Sequence, residues 1–194
     1  MQYPLEMRFK IFTLAQQISV HDAAGKPIMY VKQKMFRLKE KVEVFTDSSL
    51  QNKLFEISSD RIIDFSANYH FTAADGTDWG AVRRRGMRSL WSAHYEVIED
   101  NRVDMEIQEE NPWKRVLEGL LGEVPFVGFL IIYLLNPSYL ITLANGTLAL
   151  RVVKKPSFFE RYFVIEKVTD IDSDDELRAL LSLIMMVLLE KDRG

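Results

Sequence analysis

Apolar and polar residues alternate along much of the chain. The alternation is clearest in segments 7–13, 41–44, 91–97 and 103–108, where every second position is mostly apolar or aromatic. A period of two residues indicates a β-strand that buries one face and exposes the other. We therefore predict a succession of short antiparallel strands.

Three turns between the predicted strands end in glycine, with Asp or Asn one to three residues earlier. Such sequences accept the positive φ angles of tight hairpins. Each glycine is also followed, six and nine residues later, by valine and then by a basic residue, which is a weak internal repeat. The three sets are Gly25, Val31 and Lys34, then Gly76, Val82 and Arg85, and lastly Gly146, Val152 and Lys155.

Each copy of this repeat continues into a second predicted strand, at 42–45, 95–97 and 162–165. A repeated pair of strands suits either a barrel or a propeller. A propeller needs at least about four blades, each about 40–50 residues long, so three copies in this chain are too few. We therefore predict a mainly β protein built as a closed antiparallel barrel.

The most informative segment is 173–191, which contains an almost unbroken apolar run. The interior of that run is polar only at Arg178 and Ser182. A surface helix has one apolar face, whereas a helix that is apolar all round is enclosed by protein or by lipid. At 1.5 Å per residue this helix is roughly 28 Å long, and a wide barrel can enclose it. We predict a central helix with a capping box formed by Ser173 and Glu176.

A second, short helix is predicted in an apolar insertion at 111–135. Asn111 and Pro112 suit its start, and Gly122 suits its end. The apolar residues of the insertion are candidates for contact with a membrane or with a protein partner. They are Trp113, Leu117, Leu120, Phe126, Phe129 and Tyr133. The alternative is that the insertion packs over one end of the barrel.

Composition narrows the classes of function. The 194 residues carry a formal net charge of -3, so the chain has no global basic field to collect nucleic acid. Cysteine is absent, which excludes disulfides and thiol catalysis and suits a reducing compartment. Residues 1–14 lack the pattern of a signal peptide, and the apolar runs are shorter than the roughly 20 residues of a membrane span. We expect a cytoplasmic protein with, at most, a peripheral contact to a membrane.

A basic cluster is the strongest candidate for a binding site. Its residues are Arg83, Arg84, Arg85 and Arg88, joined at the equivalent position of the repeat by Lys154 and Lys155. Arginine binds phosphate through paired hydrogen bonds, and each basic residue near an anionic bilayer contributes about 1 kcal/mol. Alternatively, these residues only solvate the outer face of the barrel. Alternation places Arg84 on the opposite face from its neighbours, so it lies near a bend or is paired inside.

No other motif predicts a reaction or a metal site. The acidic run at 170–176 begins like a calcium-binding loop, but Asp175 stands where that loop needs glycine and Leu181 where it needs glutamate. Helix capping explains the run more simply. The three histidines are far apart, and no nucleophile elbow, phosphate-binding loop or zinc-protease motif is present. We predict no catalytic residue, no metal and no cofactor.

Several segments resemble the LURP-one-related family. Residues 30–45 are similar to its second hairpin, in which a Val-x-x-Lys strand leads to Phe-x-Leu and a further strand. Residues 7–20 resemble its opening strand pair, 146–165 a late hairpin and 173–191 its central helix. The resemblance covers nearly the whole chain and implies one domain over 1–194. Its fold, shared with the Tubby C-terminal domain and phospholipid scramblases, would be a barrel of about twelve strands around a buried hydrophobic helix.

The resemblance also shapes the expected function. The insertion at 111–135 is a departure that we associate with bacterial members of the family. The family has no established catalytic activity, and its relatives imply binding to membrane surfaces. We predict a non-catalytic binding module that associates with anionic phospholipid headgroups at the cytoplasmic membrane face. The alternative is a structural or protein-interaction module that forms a homo-oligomer through the insertion.

Overall fold

The computed structural model describes residues 1–10, 15–34, 41–60, 67–85, 93–111 and 136–191. In this part of the chain, twelve β-strands precede one α-helix, which confirms the predicted barrel strands and the predicted helix after them. The short helix predicted within 111–135 lies outside the described residues. The strands are β1 (Leu5–Lys10), β2 (Ala15–His21), β3 (Pro27–Lys34), β4 (Val42–Phe45), β5 (Lys53–Ser59), β6 (Asn68–Ala73), β7 (Asp78–Arg84), β8 (His94–Glu99), β9 (Arg102–Glu109), β10 (Ser138–Leu143), β11 (Leu148–Lys155) and β12 (Glu160–Lys167), and the helix is α1 (Ser173–Lys191).

The twelve strands form one closed antiparallel barrel. Each strand pairs with its neighbours in sequence, and β1 closes the barrel by pairing with β12, where Leu5 lies opposite Ile165. Closure gives each described strand a partner on both sides. The predicted fold class, an antiparallel barrel around a hydrophobic helix, is confirmed.

The internal repeat of the sequence corresponds to every fourth strand. Val31, Val82 and Val152 are all fully buried and lie on β3, β7 and β11. The glycines before them have φ angles of 76°, 92° and 84°, and each donates its N–H to the carbonyl oxygen three residues earlier. Glycine adopts positive φ without a steric penalty, so the predicted glycine turns are confirmed.

One irregularity in β7 was not predicted from the sequence. Gly80 has a φ angle of 90°, and the register between β6 and β7 shifts between His70 and Thr72. A Cβ atom at Gly80 would lie 2.1 Å from the carbonyl oxygen of Ile98 on β8. Glycine is therefore required here because the neighbouring strand approaches the backbone too closely for any side chain.

The helix α1 fills the interior of the barrel. Every residue from 178 to 188 is buried, and the apolar ones pack against the inward-facing residues of the strands. Burial on all sides explains why the sequence shows no polar face over three turns of helix. The prediction that protein encloses this helix is confirmed.

The cap of α1 differs from the predicted capping box. Oδ1 of Asp172 accepts hydrogen bonds from the backbone N–H groups of Asp174 (3.0 Å) and Asp175 (2.8 Å). Glu176 forms an ion pair with a lysine of β12 instead of completing the box. A carboxylate is a stronger acceptor than a hydroxyl, and its charge suits the positive end of the helix dipole. The prediction that Ser173 caps the helix was therefore wrong by one residue.

Arg178 joins the first turns of α1 to the barrel wall, although its side chain is only 5% exposed. Its guanidinium nitrogens lie 3.1 Å from the carboxylate of Asp104 and 2.6 Å from that of Asp175. The guanidinium also contacts the carboxylate of Glu99. These partners offset the free-energy cost of burying a charge. The cluster therefore fixes the start of α1 against β8 and β9.

The barrel has two distinct ends. At the end termed here the turn end, the odd-numbered strands and α1 begin, and short turns such as 22–26 and 144–147 enter them. At the opposite end, termed the tip end, the odd-numbered strands and α1 finish. The described hairpin connection at the tip end is 156–159, between β11 and β12.

Candidate functional site

Arg83, Arg84 and Arg85, termed here the arginine run, lie at the tip end, where β7 finishes. The two outward-facing members of this run, Arg83 and Arg85, are ion-paired. Nε of Arg83 is 2.7 Å from a carboxylate oxygen of Glu96, and Nε of Arg85 is 3.4 Å from the other. Arg85 also reaches Glu106 through Nη1 at 3.3 Å. Both acceptors lie on the neighbouring strands β8 and β9. The predicted headgroup ligands therefore share their charge with two carboxylates of the barrel surface.

Arg84 points into the barrel, as alternation required, and its side chain is 7% exposed. Its Nη1 lies 3.6 Å from the carboxylate of Glu190 at the end of α1, and its guanidinium stacks 5.9 Å from the ring centre of Tyr95. The Tyr95 hydroxyl donates a 2.7 Å hydrogen bond to the same carboxylate. Burial, reinforced by the Glu190 charge, raises the pKa of Tyr95, so its hydroxyl stays protonated and remains a donor.

The structure does not bring Lys154 and Lys155 next to the arginine run. They end β11, which is four strands from β7 around the barrel, or roughly 19 Å along the sheet. The repeat therefore places them at the same end of the barrel but in a different sector. The remaining predicted site residues lie outside the described residues. They are Arg88, Trp113, Leu117, Leu120, Phe126, Phe129 and Tyr133.

A group of basic residues surrounds the hairpin that Lys154 and Lys155 enter. The pairing register places Lys32 of β3 opposite Gln17 of β2, and Gln17 opposite Lys10 of β1. We term the whole group the basic rim: Lys10, Lys32, Lys154, Lys155 and Arg161. Its residues lie near the tip end of β3, β1, β12 and β11, and β2 lies between β3 and β1.

Three of the five cations of the basic rim are available to a ligand. Lys10, Lys32 and Lys155 are exposed, and in the described part of the chain none of them forms an ion pair. The nearby carboxylate of Glu160 is already bound at 2.7 Å by Arg8, which faces outward from β1. The sector therefore differs from the arginine run, where carboxylates of adjacent strands neutralise the cations.

Two adjacent phenylalanines project from the connection between β11 and β12. Phe158 is 69% exposed and Phe159 is 79% exposed. The basic residues before this hairpin were predicted as ligands from the sequence, whereas the phenylalanines were not. A signal was present, because two aromatic residues follow Pro156 and Ser157 directly and break the alternation that would bury one of them. We term residues 156–159 the aromatic tip.

The turn end carries the opposite charge. The charged residues in its described connections are acidic, apart from Lys26. The acidic residues are Asp22, Asp47, Asp75, Asp100, Asp170 and Asp172. A cavity of about 380 Å³ opens at this end, lined by His70, Asp78, Trp79, Glu99, Asp174 and Arg178 among others. Its carboxylates make this end unfavourable for anions. An anionic partner would therefore approach the tip end.

The carboxylates of Glu99, Asp104 and Asp175 lie close enough together to bind a cation. The cation that they contact is the guanidinium of Arg178. Burial, with the charges of Asp104 and Asp172, raises the pKa of Asp175, and the nearby guanidinium opposes that rise. The cluster therefore acts as an internal ion-pair network that holds the helix.

Among the described residues, no helix is both long enough and apolar enough to cross a bilayer.

Comparison with curated proteins gives no match. Among solved structures, a protein from Arabidopsis thaliana matches with 14% sequence identity and a TM-score of 0.47, over 98% of this chain and 92% of that one. The model of the LURP-one-related family matches residues 5–121, which is more than half of the chain. The protein therefore belongs to the LURP-one-related family, as the resemblance of its hairpins and helix predicted.

Proposed function

We propose that this protein is a non-catalytic binding module that associates peripherally with anionic phospholipid headgroups at the cytoplasmic face of a membrane. The observation that carries the proposal is the exposure of Lys10, Lys32 and Lys155, which lie in one sector of the tip end and form no ion pair within the described part of the chain. Anionic lipids are concentrated in the cytoplasmic leaflet, and their field attracts clustered lysine and arginine side chains.

The separation of charge between the two ends gives the proposal an orientation. The net charge of the chain is -3, so attraction to an anionic surface depends on which end faces it. At physiological salt, screening limits such attraction to about 8 Å, so the distant acidic turn end would oppose docking only weakly. The tip end would therefore face the bilayer, with the basic rim in contact with the headgroups.

Lys154 and Lys155 keep the role that was predicted for them, as members of the basic rim. The role of Arg83 and Arg85 as further headgroup ligands also stays a prediction. For these arginines to bind a phosphate group, their contacts with Glu96 and Glu106 would have to be exchanged or shared. The basic rim is therefore the better first target for substitution.

Vesicle cosedimentation tests the proposal with two variants that change the net charge by the same amount. The rim variant is Lys10→Gln/Lys32→Gln/Lys155→Gln, and its matched control at the turn end is Lys26→Gln/Lys53→Gln/Arg102→Gln. At about 1 kcal/mol for each basic residue near the surface, the rim variant should bind anionic vesicles roughly a hundredfold more weakly. The control should bind almost as the unchanged protein does.

The outcomes separate local from global electrostatics. Binding that falls equally in both variants would mean that net charge alone matters, and the basic rim would lose its assigned role. Absence of binding to anionic vesicles at low salt would remove the membrane function altogether. In that case light scattering at several protein concentrations should be used to test the alternative, a homo-oligomer formed through the insertion at 111–135.

A further inference from the structure

The aromatic tip exposes more apolar surface than the fold requires. Phe158 and Phe159 are the most exposed large apolar side chains in the described part of the chain, at 69% and 79%. Isolated apolar residues are normal on protein surfaces, whereas neighbouring exposed aromatics mark contact sites. The barrel core is complete without them, because α1 and the inward faces of the strands fill it.

The hairpin holds this apolar pair in a fixed place at the tip end. The strand pairing continues to Lys155 opposite Tyr162, immediately before the connection. Arg8 bonds Glu160, the residue that follows Phe159, and its guanidinium also lies 4.4 Å from the ring centre of Tyr162. These contacts anchor both ends of the connection to β1 and β11. The phenylalanines therefore lie on a connection that is attached to the barrel wall at both ends.

Basic side chains flank the apolar pair on both sides of the connection. Lys154 and Lys155 precede it, and Arg161 follows it by two residues. Apolar side chains bordered by cations match the layered chemistry of an anionic bilayer, in which phosphate groups lie outside the acyl chains. Nucleic acid would match the cations and could stack its bases on the rings, but a chain with a net charge of -3 has no global basic field to collect it.

We infer that Phe158 and Phe159 insert into the interfacial layer of an anionic bilayer while the basic rim binds the headgroups around them. This inference rests on the proposed function and adds that the partner is a lipid surface, which the protein penetrates at one hairpin. The barrel axis then stands across the membrane plane, with the turn end facing away from the lipid.

Two measurements on the full chain test the insertion. Affinity is measured with vesicles of phosphatidylcholine and phosphatidylserine, and penetration is measured as the rise in surface pressure of a monolayer of the same composition. The test variant is Phe158→Ser/Phe159→Ser. The matched control is Val168→Ser, which removes an exposed apolar side chain, 51% exposed, at the turn end. Circular dichroism checks that both variants keep the fold.

The expected result is that the double serine variant still binds anionic vesicles at low salt but about tenfold or more weakly, and produces no rise in surface pressure. The Val168→Ser control should match the unchanged protein in both measurements. A second readout uses Phe159→Trp, whose additional fluorescence should shift to the blue on binding vesicles, whereas that of Val168→Trp should not.

Other outcomes distinguish this inference from the function on which it rests. If the double serine variant binds and raises surface pressure as the unchanged protein does, insertion is excluded while headgroup binding stands. If the protein binds vesicles of phosphatidylcholine alone equally well, and loses this binding with the phenylalanines, the tip inserts but the electrostatic function is wrong. If no vesicle is bound and the double variant abolishes a dimer in solution, the tip is a contact between copies and the inference is overturned.

Discussion

Arg84 of β7 and Glu190 of α1 meet inside the tip end of the barrel, with 3.6 Å between Nη1 and the carboxylate. The Glu190 carboxylate also accepts a hydrogen bond from the Tyr95 hydroxyl. Glu190→Gln should therefore lower the free energy of unfolding by about 2–3 kcal/mol, because it removes a carboxylate charge that lies next to a buried guanidinium. Urea unfolding measures this loss. Arg83→Gln, which breaks a half-exposed pair, should cost less than about 1 kcal/mol, and equal costs would show that Arg84 is not buried as described.

Gly80 is expected to tolerate no side chain. Gly80→Ala should destabilise the protein by about 3 kcal/mol or more, because the new Cβ would meet the Ile98 carbonyl oxygen and the residue would keep a positive φ. Gly76→Ala is the matched control. Gly76 has a nearly equal φ of 92° but no atom within 4 Å of its Cβ position, so it should lose only about 1 kcal/mol. A similar loss for both would assign the whole effect to φ.

Ser182 is the opposite case, a buried polar group that brings no visible benefit. Its hydroxyl lies within α1, is fully buried and has no hydrogen-bond partner among the residues that the structure describes. Ser182→Ala should therefore leave stability unchanged or raise it by up to about 1 kcal/mol. Thermal unfolding would reveal this. Ala179→Ser, which adds a hydroxyl to another fully buried position of α1, should lower stability, and a marked loss in Ser182→Ala would point to a role for that hydroxyl.

Lys41 lowers the pKa of Glu56 through a hydrogen bond, with 2.8 Å between Nζ and the carboxylate. Because the folded pKa is below the ordinary value of 4.5, this carboxylate adds stability above that pH and loses the contribution as the pH falls through the lowered value. Lys41→Met should raise the pKa of Glu56 toward 4.5 and reduce the acid sensitivity of stability. Carbon-detected NMR titration measures the pKa of Glu56. The control variant Lys10→Met changes a lysine that is remote from Glu56, so it should leave that pKa unchanged.

The arginine run provides a test that separates the two candidate sectors. Arg83→Gln/Arg85→Gln avoids the buried Arg84 and should keep the fold. Because Glu96 and Glu106 already neutralise these side chains, binding to anionic vesicles should fall less than tenfold, against roughly a hundredfold for the rim variant. A larger fall in the arginine variant than in the rim variant would move the headgroup site to the end of β7.

Much of the barrel could be predicted because its strands, turns and central helix leave patterns among residues that are close in sequence. Alternation reflects one buried and one exposed face, so it placed Val42 and Val44 inward before any pairing was known. The apolar circumference of α1 likewise required enclosure. The repeat glycines fixed where hairpins turn, and their spacing to Val31, Val82 and Val152 fixed the inward register.

The features that escaped prediction depend on contacts made only when the barrel closes. Alternation placed Arg84 on the face opposite its neighbours and left open whether it lies near a bend or is paired inside. Its partner Glu190 belongs to the helix and is distant in sequence. Lys155 shares a repeat position with Arg85, yet the repeat runs around the barrel, so equivalence in sequence did not mean proximity. The choice of Asp172 over Ser173 as cap depended on where the backbone enters the first turn, and neighbouring residues of similar capping strength could not be distinguished.

The position of α1 has a consequence for the biosynthesis of the protein. The ribosome releases the strands first, and the helix that fills them emerges after all twelve. Until β12 emerges, β1 has no partner with which to close the barrel, and until α1 emerges the inward faces of the strands lack the helix that they pack against. During synthesis the apolar faces of the strands therefore stay exposed until α1 has left the ribosome. Any product that stops before residue 173 is expected to aggregate or be degraded.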